Sequence, residues 1–355
     1  MDNLKIKGNH SIQFDKNIIF IDLSYLVFYR FFALQKWFKL ANKDIEITHD
    51  FKWLKNKIFI EKFEKTLFDT IKKIAKKNKV PLNNIIFSID CNSKNIWRHN
   101  ITNKYNNDTN NDTNNDNVEF LKYKGTRSES HKKQNFTEFE IFDLVKKNYL
   151  PNFCKEYNNL ILNHENAEAD DCIAIYINYI KNNNIMNNPD NKLFIIASDT
   201  DYLQLCNNNI ELIDLKMTNI KQKHLVKKNI ESIEYLLRKI LIGDTSDNIN
   251  GCTIYPNKLE FLKETYNIKI RRNKKNIYKI TDKIINELLN NPILKKGLYE
   301  YLELDKNDND LQKKNEELNK LLNFINLNIF NYNQIMIDFN YIPNYINLNL
   351  NFLIL

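Results

Sequence analysis

Nine carboxylates stand at places in this 355-residue chain where they could act together. Asp22 and Asp90 close two short apolar runs, NIIFID at 17–22 and NIIFSID at 84–90. Glu168, Asp170 and Asp171 form EADD, Asp199 and Asp201 lie in SDTD, and Asp244 and Asp247 stand three apart in LIGDTSDNING, Leu241–Gly251. Singly, each reads equally well as a helix N-cap or a first-turn acid favoured by the helix dipole. Brought together they could not all stay ionised unaided, because two carboxylates about 4 Å apart repel by roughly 4 kcal/mol at an effective dielectric near 20. They would protonate or enclose cations. Oxygen donors without His or Cys select hard ions, Mg²⁺ or Mn²⁺ rather than zinc. Two such ions about 3.5–4 Å apart, bridging a phosphate, are the established use of such a cluster.

The elements that would carry these acids follow from the apolar pattern. The runs ending at Asp22 and Asp90, with Asn159–Leu162, Lys192–Ser198 and Glu211–Leu215, read as short buried strands. Helical periodicity separates them, over Tyr25–Phe38, Phe51–Ala75, Phe136–Tyr157 and Cys172–Ile180. Buried strands alternating with helices predict a mostly parallel α/β sheet. The carboxyl ends of such strands form the ligand crevice, so four strand ends deliver acids to one edge. From Ile230 onward the pattern is helical, at Ile233–Ile242, Leu259–Tyr266 and Leu311–Phe324, and an apolar strand over Gln334–Ile342 is expected to pack back on the sheet. Asn103–Asn117 is polar and low in complexity, with nothing to bury, and is read as a disordered insertion.

Composition narrows the classes. A 43% hydrophobic content with 12% aromatics is that of a globular chain, and no run approaches the ~18–20 apolar residues of a membrane span. The opening residues lack the apolar block of a signal peptide. Five scattered cysteines, Cys91, Cys154, Cys172, Cys206 and Cys252, form no C-x-x-C pair and read as reduced thiols of a soluble intracellular protein; the compartment is left open. The net charge of +8, with acids sequestered at one place, suits a polyanionic substrate, although a merely soluble basic protein fits the charge equally well. The five glycines form neither G-x-G-x-x-G nor G-x-x-x-x-G-K-[ST], which removes the nucleotide-cofactor enzymes.

In order along the chain stand FIDLSYLVFYRFFAL (20–34), FSID (87–90), WR (97–98), YKGTR (123–127), EADD (168–171), SDTDYLQL (198–205) and GDTSDNI (243–249). Together they resemble the flap endonucleases and phage-type 5′–3′ exonucleases, with the YKGTR form closer to the phage enzymes. The resemblance covers roughly residues 16–270 and implies a PIN-like nuclease core with a helical arch, followed by a helical C-terminal helix–three-turn–helix that grips duplex DNA. The domain boundaries it implies are a core over 1–240 with the arch region at 91–135 and the insertion at 103–117, a duplex-binding region at 241–330, and a C-terminal segment at 331–355 packed on the core.

Residue by residue, the resemblance implies that Asp22, Asp90, Glu168 and Asp170, with Asp171 beside them, hold a first metal ion. Asp199 is shared, and Asp201, Asp244 and Asp247 serve a second. Lys124 and Arg127 match the basic pair that holds the scissile phosphate, a lysine and an arginine one helical turn apart. Tyr123 is a candidate for base stacking, with a core tyrosine as the equal alternative. Arg98 and Arg30 match family positions more loosely, and Lys258 is a candidate phosphate contact. The implied activity is two-metal hydrolysis of phosphodiesters near a 5′ end, in replication or repair, with Mg²⁺ or Mn²⁺ as cofactor. The implied partners are duplex DNA with a 5′ flap or end, or an RNA–DNA hybrid, for a monomer working beside replication proteins. A PIN-type endoribonuclease and a non-catalytic DNA-binding protein are the alternatives. The chain departs from the family after Asn250-Gly251, where the glycine-rich hairpin is replaced by CTIYPNK, and in the asparagine-rich insertion.

Overall fold

A computed structural model of the chain describes residues 12–48, 51–109, 120–126, 138–186, 188, 190–251, 327–348 and 351–353. Arg127, Lys258, Cys252 and the helical periodicities at 259–266 and 311–324 lie outside the described residues. The chain divides into two compact units, one of residues 1–99, 126–229 and 342–355 and the other of 100–125 and 230–341.

The first unit is built on a six-stranded sheet in the order β5-β4-β1-β2-β3-β6. Its strands are β1 (Ile18–Asp22), β2 (Ile85–Ser88), β3 (Leu160–Asn163), β4 (Leu193–Ile196), β5 (Ile210–Ile213) and β6 (Asn351–Leu353). The first five pair in parallel, and β6 runs antiparallel to β3, so the sheet is mostly parallel, as predicted. Ile18, Ile19, Phe20 and Ile21 on the central β1 are all fully buried, which is why these strands read as continuous apolar runs rather than alternating ones. Helix α1 (Leu23–Ala41) starts directly from β1, and α2 (Lys57–Lys77) packs on it through Phe31, Phe38, Phe59 and Phe63, all buried.

Three further helical pieces matter for the site. Helix α3 (Trp97–Thr109) follows β2. The predicted helix at 136–157 is α4 (Glu140–Leu144), a π turn (Val145–Tyr149) and α5 (Leu150–Tyr157), which ends at Asn158 in the left-handed conformation. Helix α6 (Ala169–Asn182) follows β3, and a 3₁₀ turn (Thr200–Leu205) follows β4. Beyond β5 come α7 (Ile220–His224), α8 (Ser232–Ile242), α9 (Leu327–Ile337) and α10 (Asn344–Leu348).

Two expectations fail in the second unit. The strand predicted over Gln334–Ile342 is α9 followed by a 3₁₀ turn at Phe339–Tyr341. Its buried residues, Ile329, Phe330, Tyr332, Asn333, Met336 and Ile337, recur at helical spacing and pack on α8. The asparagine-rich stretch is helical at least to Thr109. Thr102 bonds the Tyr332 hydroxyl (2.9 Å), the Tyr105 ring sits 5.3 Å from Tyr332, and the Asn106 amide brackets the backbone of Phe120 with bonds of 2.9 and 3.0 Å. These partners supply the burial that the polar sequence lacks on its own; the remainder of the insertion lies outside the described residues. No helix among the described residues is long and apolar enough to cross a membrane.

Candidate metal centre

The carboxyl ends of β1 to β4 place their acids as the strand pattern requires. Asp22 is the last residue of β1 and the N-cap of α1, where its Oδ1 accepts from the Tyr25 amide at 3.0 Å. Asp90 lies two residues past β2. One of its oxygens accepts from the Ser24 hydroxyl, and the other accepts at 2.8 Å from the amide of Ala169, the first residue of α6. The Ser88 hydroxyl donates to the Ala169 carbonyl at 2.8 Å, so β2 and the start of α6 are joined twice. Asp199 caps the 3₁₀ turn, accepting from the Asp201 amide at 3.0 Å.

Charge accumulates where these ends meet. Burial, with the charges of Asp90 and Asp199 behind it, pushes the Asp22 carboxyl up to about 7. Tyr202, fully buried in the 3₁₀ turn, donates its hydroxyl to Asp22 Oδ2 at 3.4 Å. Burial raises that phenol well above its ordinary range, and so do Asp22, Asp170, Asp199 and Asp90 together. One hydroxyl therefore feels four of the predicted ligands. Sequence reasoning quoted Tyr202 within SDTDYLQL without giving it a role. Its position directly after Asp201, the last acid of SDTD, was the available signal.

Glu168, Asp170 and Asp171 each offer an oxygen within 4.8 Å of the others. Glu168 is the N-cap of α6 and forms a reciprocal capping box with Asp171. Asp171 differs from its neighbours: fully buried, it accepts both guanidinium nitrogens of Arg98 (2.7 and 2.9 Å), the Trp97 indole N–H (2.9 Å) and the Glu168 amide (3.1 Å). Arg98 also reaches Glu168 Oε2 at 3.2 Å. Arg98, expected as a nucleic-acid contact, is only 3% exposed and stands in a buried ion pair with Asp171 and Glu168. Arg30, on α1, is half-buried, with an Nε that has no hydrogen-bond partner among the described residues, and burial lowers its pKa.

In the second unit, the YKGTR and GDTSDNI motifs are interlocked. The Lys124 amide donates to the Asp247 carbonyl (2.9 Å), the Tyr123 hydroxyl donates to Asp247 Oδ2 (3.0 Å), and the Asn248 amide donates to the Lys122 carbonyl (3.0 Å). The Lys124 ammonium stands 3.6 Å from Asp247 and 4.9 Å from the centre of the Tyr123 ring. Tyr123 is 2% exposed. Burial opposes ionisation of Asp244, but Lys239 at 2.8 Å, with the hydroxyl and amide of Ser246, holds it at about 2. The turn between them needs its glycines: Gly243 has φ +80°, and a Cβ at Gly251 would lie 2.4 Å from the Ile242 carbonyl oxygen.

The acids of the first unit fit hard divalent ions: the donors are all oxygen, and burial with the charges of Asp90 and Asp199 raises the Asp22 carboxyl, a cost a bound cation would relieve. No curated protein matches the sequence. Among solved structures the chain is similar to the bacteriophage T5 D15 protein co-crystallised with metal ions, at 16% identity over 91% of this chain and 90% of that one, with a TM-score of 0.47. It is similar also to the T5 D15 flap endonuclease in a pseudo-enzyme–product complex with DNA and metal ions, at 16% identity over 91% and 89%, TM-score 0.46. A third is T5 5′-exonuclease with bound zinc, at 20% identity over 77% and 86%, TM-score 0.43. Residues 17–231, more than half of the chain, match the family described as 5′-3′ exonuclease, N-terminal resolvase-like domain. With the carboxylates of its strand ends gathered on Tyr202, the chain belongs to the 5′-3′ exonuclease family.

Proposed function

We propose that this protein is a divalent-metal-dependent 5′–3′ exonuclease and structure-selective flap endonuclease, hydrolysing phosphodiesters near the 5′ ends of duplex DNA or RNA–DNA hybrids. The observation that carries this is the convergence of Asp22, Asp90 and Asp199 at the carboxyl edge of the sheet, where burial and the two neighbouring charges oppose ionisation of Asp22 unless a cation is present. In this reading Asp22, Asp90, Glu168, Asp170 and Asp199 hold a first ion, Mg²⁺ or Mn²⁺. For a second ion it keeps Asp199 and Asp201, and takes Asp244 and Asp247 from the sequence resemblance. When bound, such ions acidify water and stabilise the leaving oxygen of a phosphodiester. Tyr202 orients Asp22 by its hydroxyl, the α6 N-terminus holds Asp90 by the Ala169 amide, and Lys124 and Arg127 supply positive charge to the scissile phosphate.

The test uses a 5′-labelled flap, a matched single strand and a blunt duplex, in Mg²⁺ and in EDTA. Mg²⁺-dependent cutting at the flap junction or the 5′ end is expected. Asp199→Asn should lose it, and Lys124→Ala should slow it by about 10²–10³. Cutting of single-stranded RNA with no duplex-end product would make the protein an endoribonuclease. Tight duplex binding without cleavage in Mg²⁺ or Mn²⁺ would make it a DNA-binding protein and sink the proposal.

A further inference from the structure

A carboxylate offers about four lone-pair positions, and Asp171 accepts four hydrogen bonds from Arg98, Trp97 and Glu168. Oδ1 takes the Arg98 guanidinium at 2.7 Å, while Oδ2 takes Arg98 at 2.9 Å, Trp97 Nε1 at 2.9 Å and the Glu168 amide at 3.1 Å. Three of the four bonds crowd Oδ2 and one falls on Oδ1, so Asp171, the last acid of EADD, is committed first to Arg98 and Trp97. Arg98 is fixed from three sides. Its guanidinium carbon lies 4.5 Å from the centre of the Trp97 ring, its fork is bidentate on Asp171, and one nitrogen reaches Glu168 Oε2 at 3.2 Å. Arg98, Glu168 and Asp171 are all buried, so this geometry is not an exchanging surface pair.

We propose that Arg98 is a positioning residue of the metal centre: Asp171 and Trp97 lock its guanidinium, and the guanidinium sets the orientation in which the Glu168 carboxylate meets an ion. Asp171 then serves first to hold Arg98 rather than to bind the ion directly. This rests on the reading of Glu168 as a ligand, and it explains why an arginine is tolerated inside an acidic centre that must attract cations. Its charge is matched by Asp171, so Glu168 keeps its own negative charge for the metal. Groups that orient a ligating side chain typically contribute 10–100-fold in metal affinity or activity.

The experiment measures Mn²⁺ affinity by titration calorimetry and thermal stability in EDTA, for the wild type, Arg98→Lys, Asp171→Asn, Asp22→Asn and the double variant Arg98→Met/Asp171→Asn. Arg98→Lys keeps the charge but loses the fork, and should weaken Mn²⁺ by about 10-fold or more. In EDTA, Asp171→Asn should melt several degrees below the wild type, because the buried guanidinium loses its countercharge. Asp22→Asn should melt above it. The double variant, neutral at both positions, should recover stability relative to Asp171→Asn but not Mn²⁺ affinity. Unchanged Mn²⁺ affinity in both the Arg98→Lys and the double variants would overturn the positioning role. Stabilisation by Asp171→Asn in EDTA would return Asp171 to the repelling ligand set. A wild type that binds no Mn²⁺ would instead refute the metal centre itself, an outcome separable from either.

Discussion

At Asp22 three effects compete, and their balance sets a measurable pH dependence. Burial and the charges of Asp90 and Asp199 raise the carboxyl to about 7, against lowering by the Tyr25 amide and the Tyr202 hydroxyl. An acid with a folded-state pKa above its unfolded value binds protons on folding, so its contribution to stability is fully present below the ordinary value of 3.8 and is lost progressively as the pH rises to about 7. Asp22→Asn removes the charge and keeps an Oδ1 for the Tyr25 amide. In EDTA the variant should melt at nearly the wild-type temperature near pH 4, increasingly above it as the pH rises to about 7, and by a constant few degrees beyond that. A melting difference independent of pH would refute the charge accumulation. Tyr202→Phe removes a group that lowers Asp22, so its Mn²⁺ affinity should fall off at higher pH than in the wild type, with little change at pH 9; calorimetry at four pH values would reveal an unshifted curve if the hydroxyl is irrelevant. Asp22 and Asp90 stand out in the sequence because each closes a short apolar run. The roles of Arg98 and Trp97 do not, because they meet Asp171 across 73 and 74 residues, a separation that no local pattern encodes.

Elements were legible wherever burial is one-sided or complete. β1 and β2 are short runs buried on both faces, and α8 is amphipathic, so each announces itself. Gln334–Ile342 misled because NQIMIDFNYI satisfies a period of two almost as well as one of 3.6; packing against α8 decided for the helix. Within α9, Asn333 is fully buried and donates its amide to the carbonyls of Ile240 (2.9 Å) and Asn250 (2.7 Å), joining α9 to the last turn of α8 and to the GDTSDNI turn. No sequence rule marks such an asparagine among so many. Asn333→Ala strands two buried acceptors and should destabilise by about 1–3 kcal/mol. Urea unfolding followed by circular dichroism would measure it, and a midpoint equal to that of the wild type would show that these bonds contribute nothing.

For the whole molecule the decisive quantity is charge. The chain carries 52 basic against 44 acidic side chains, a formal +8, and setting the nine predicted ligands aside leaves a remainder more basic still. Phosphate binding by such a surface releases counterions, so affinity should fall steeply with salt, at a slope of about −0.9 for each duplex phosphate neutralised. For roughly four contacts, raising salt from about 50 to 100 mM would weaken binding about tenfold. The acids oppose this attraction when no cation covers them, so a 5′-flap duplex should bind more weakly in EDTA than with a divalent ion present. Fluorescence anisotropy at several salt concentrations, using Asp199→Asn to prevent cutting, would separate the two effects. Lys124→Ala should reduce the slope by about one, the signature of a single phosphate contact. An unchanged slope would leave the Lys124 ammonium to its resting partners, Asp247 and the Tyr123 ring, and confine its role to holding the YKGTR turn on GDTSDNI. A loss of affinity in Lys124→Ala that is the same at every salt concentration would point to that structural role, because counterion release requires the effect to grow as salt falls.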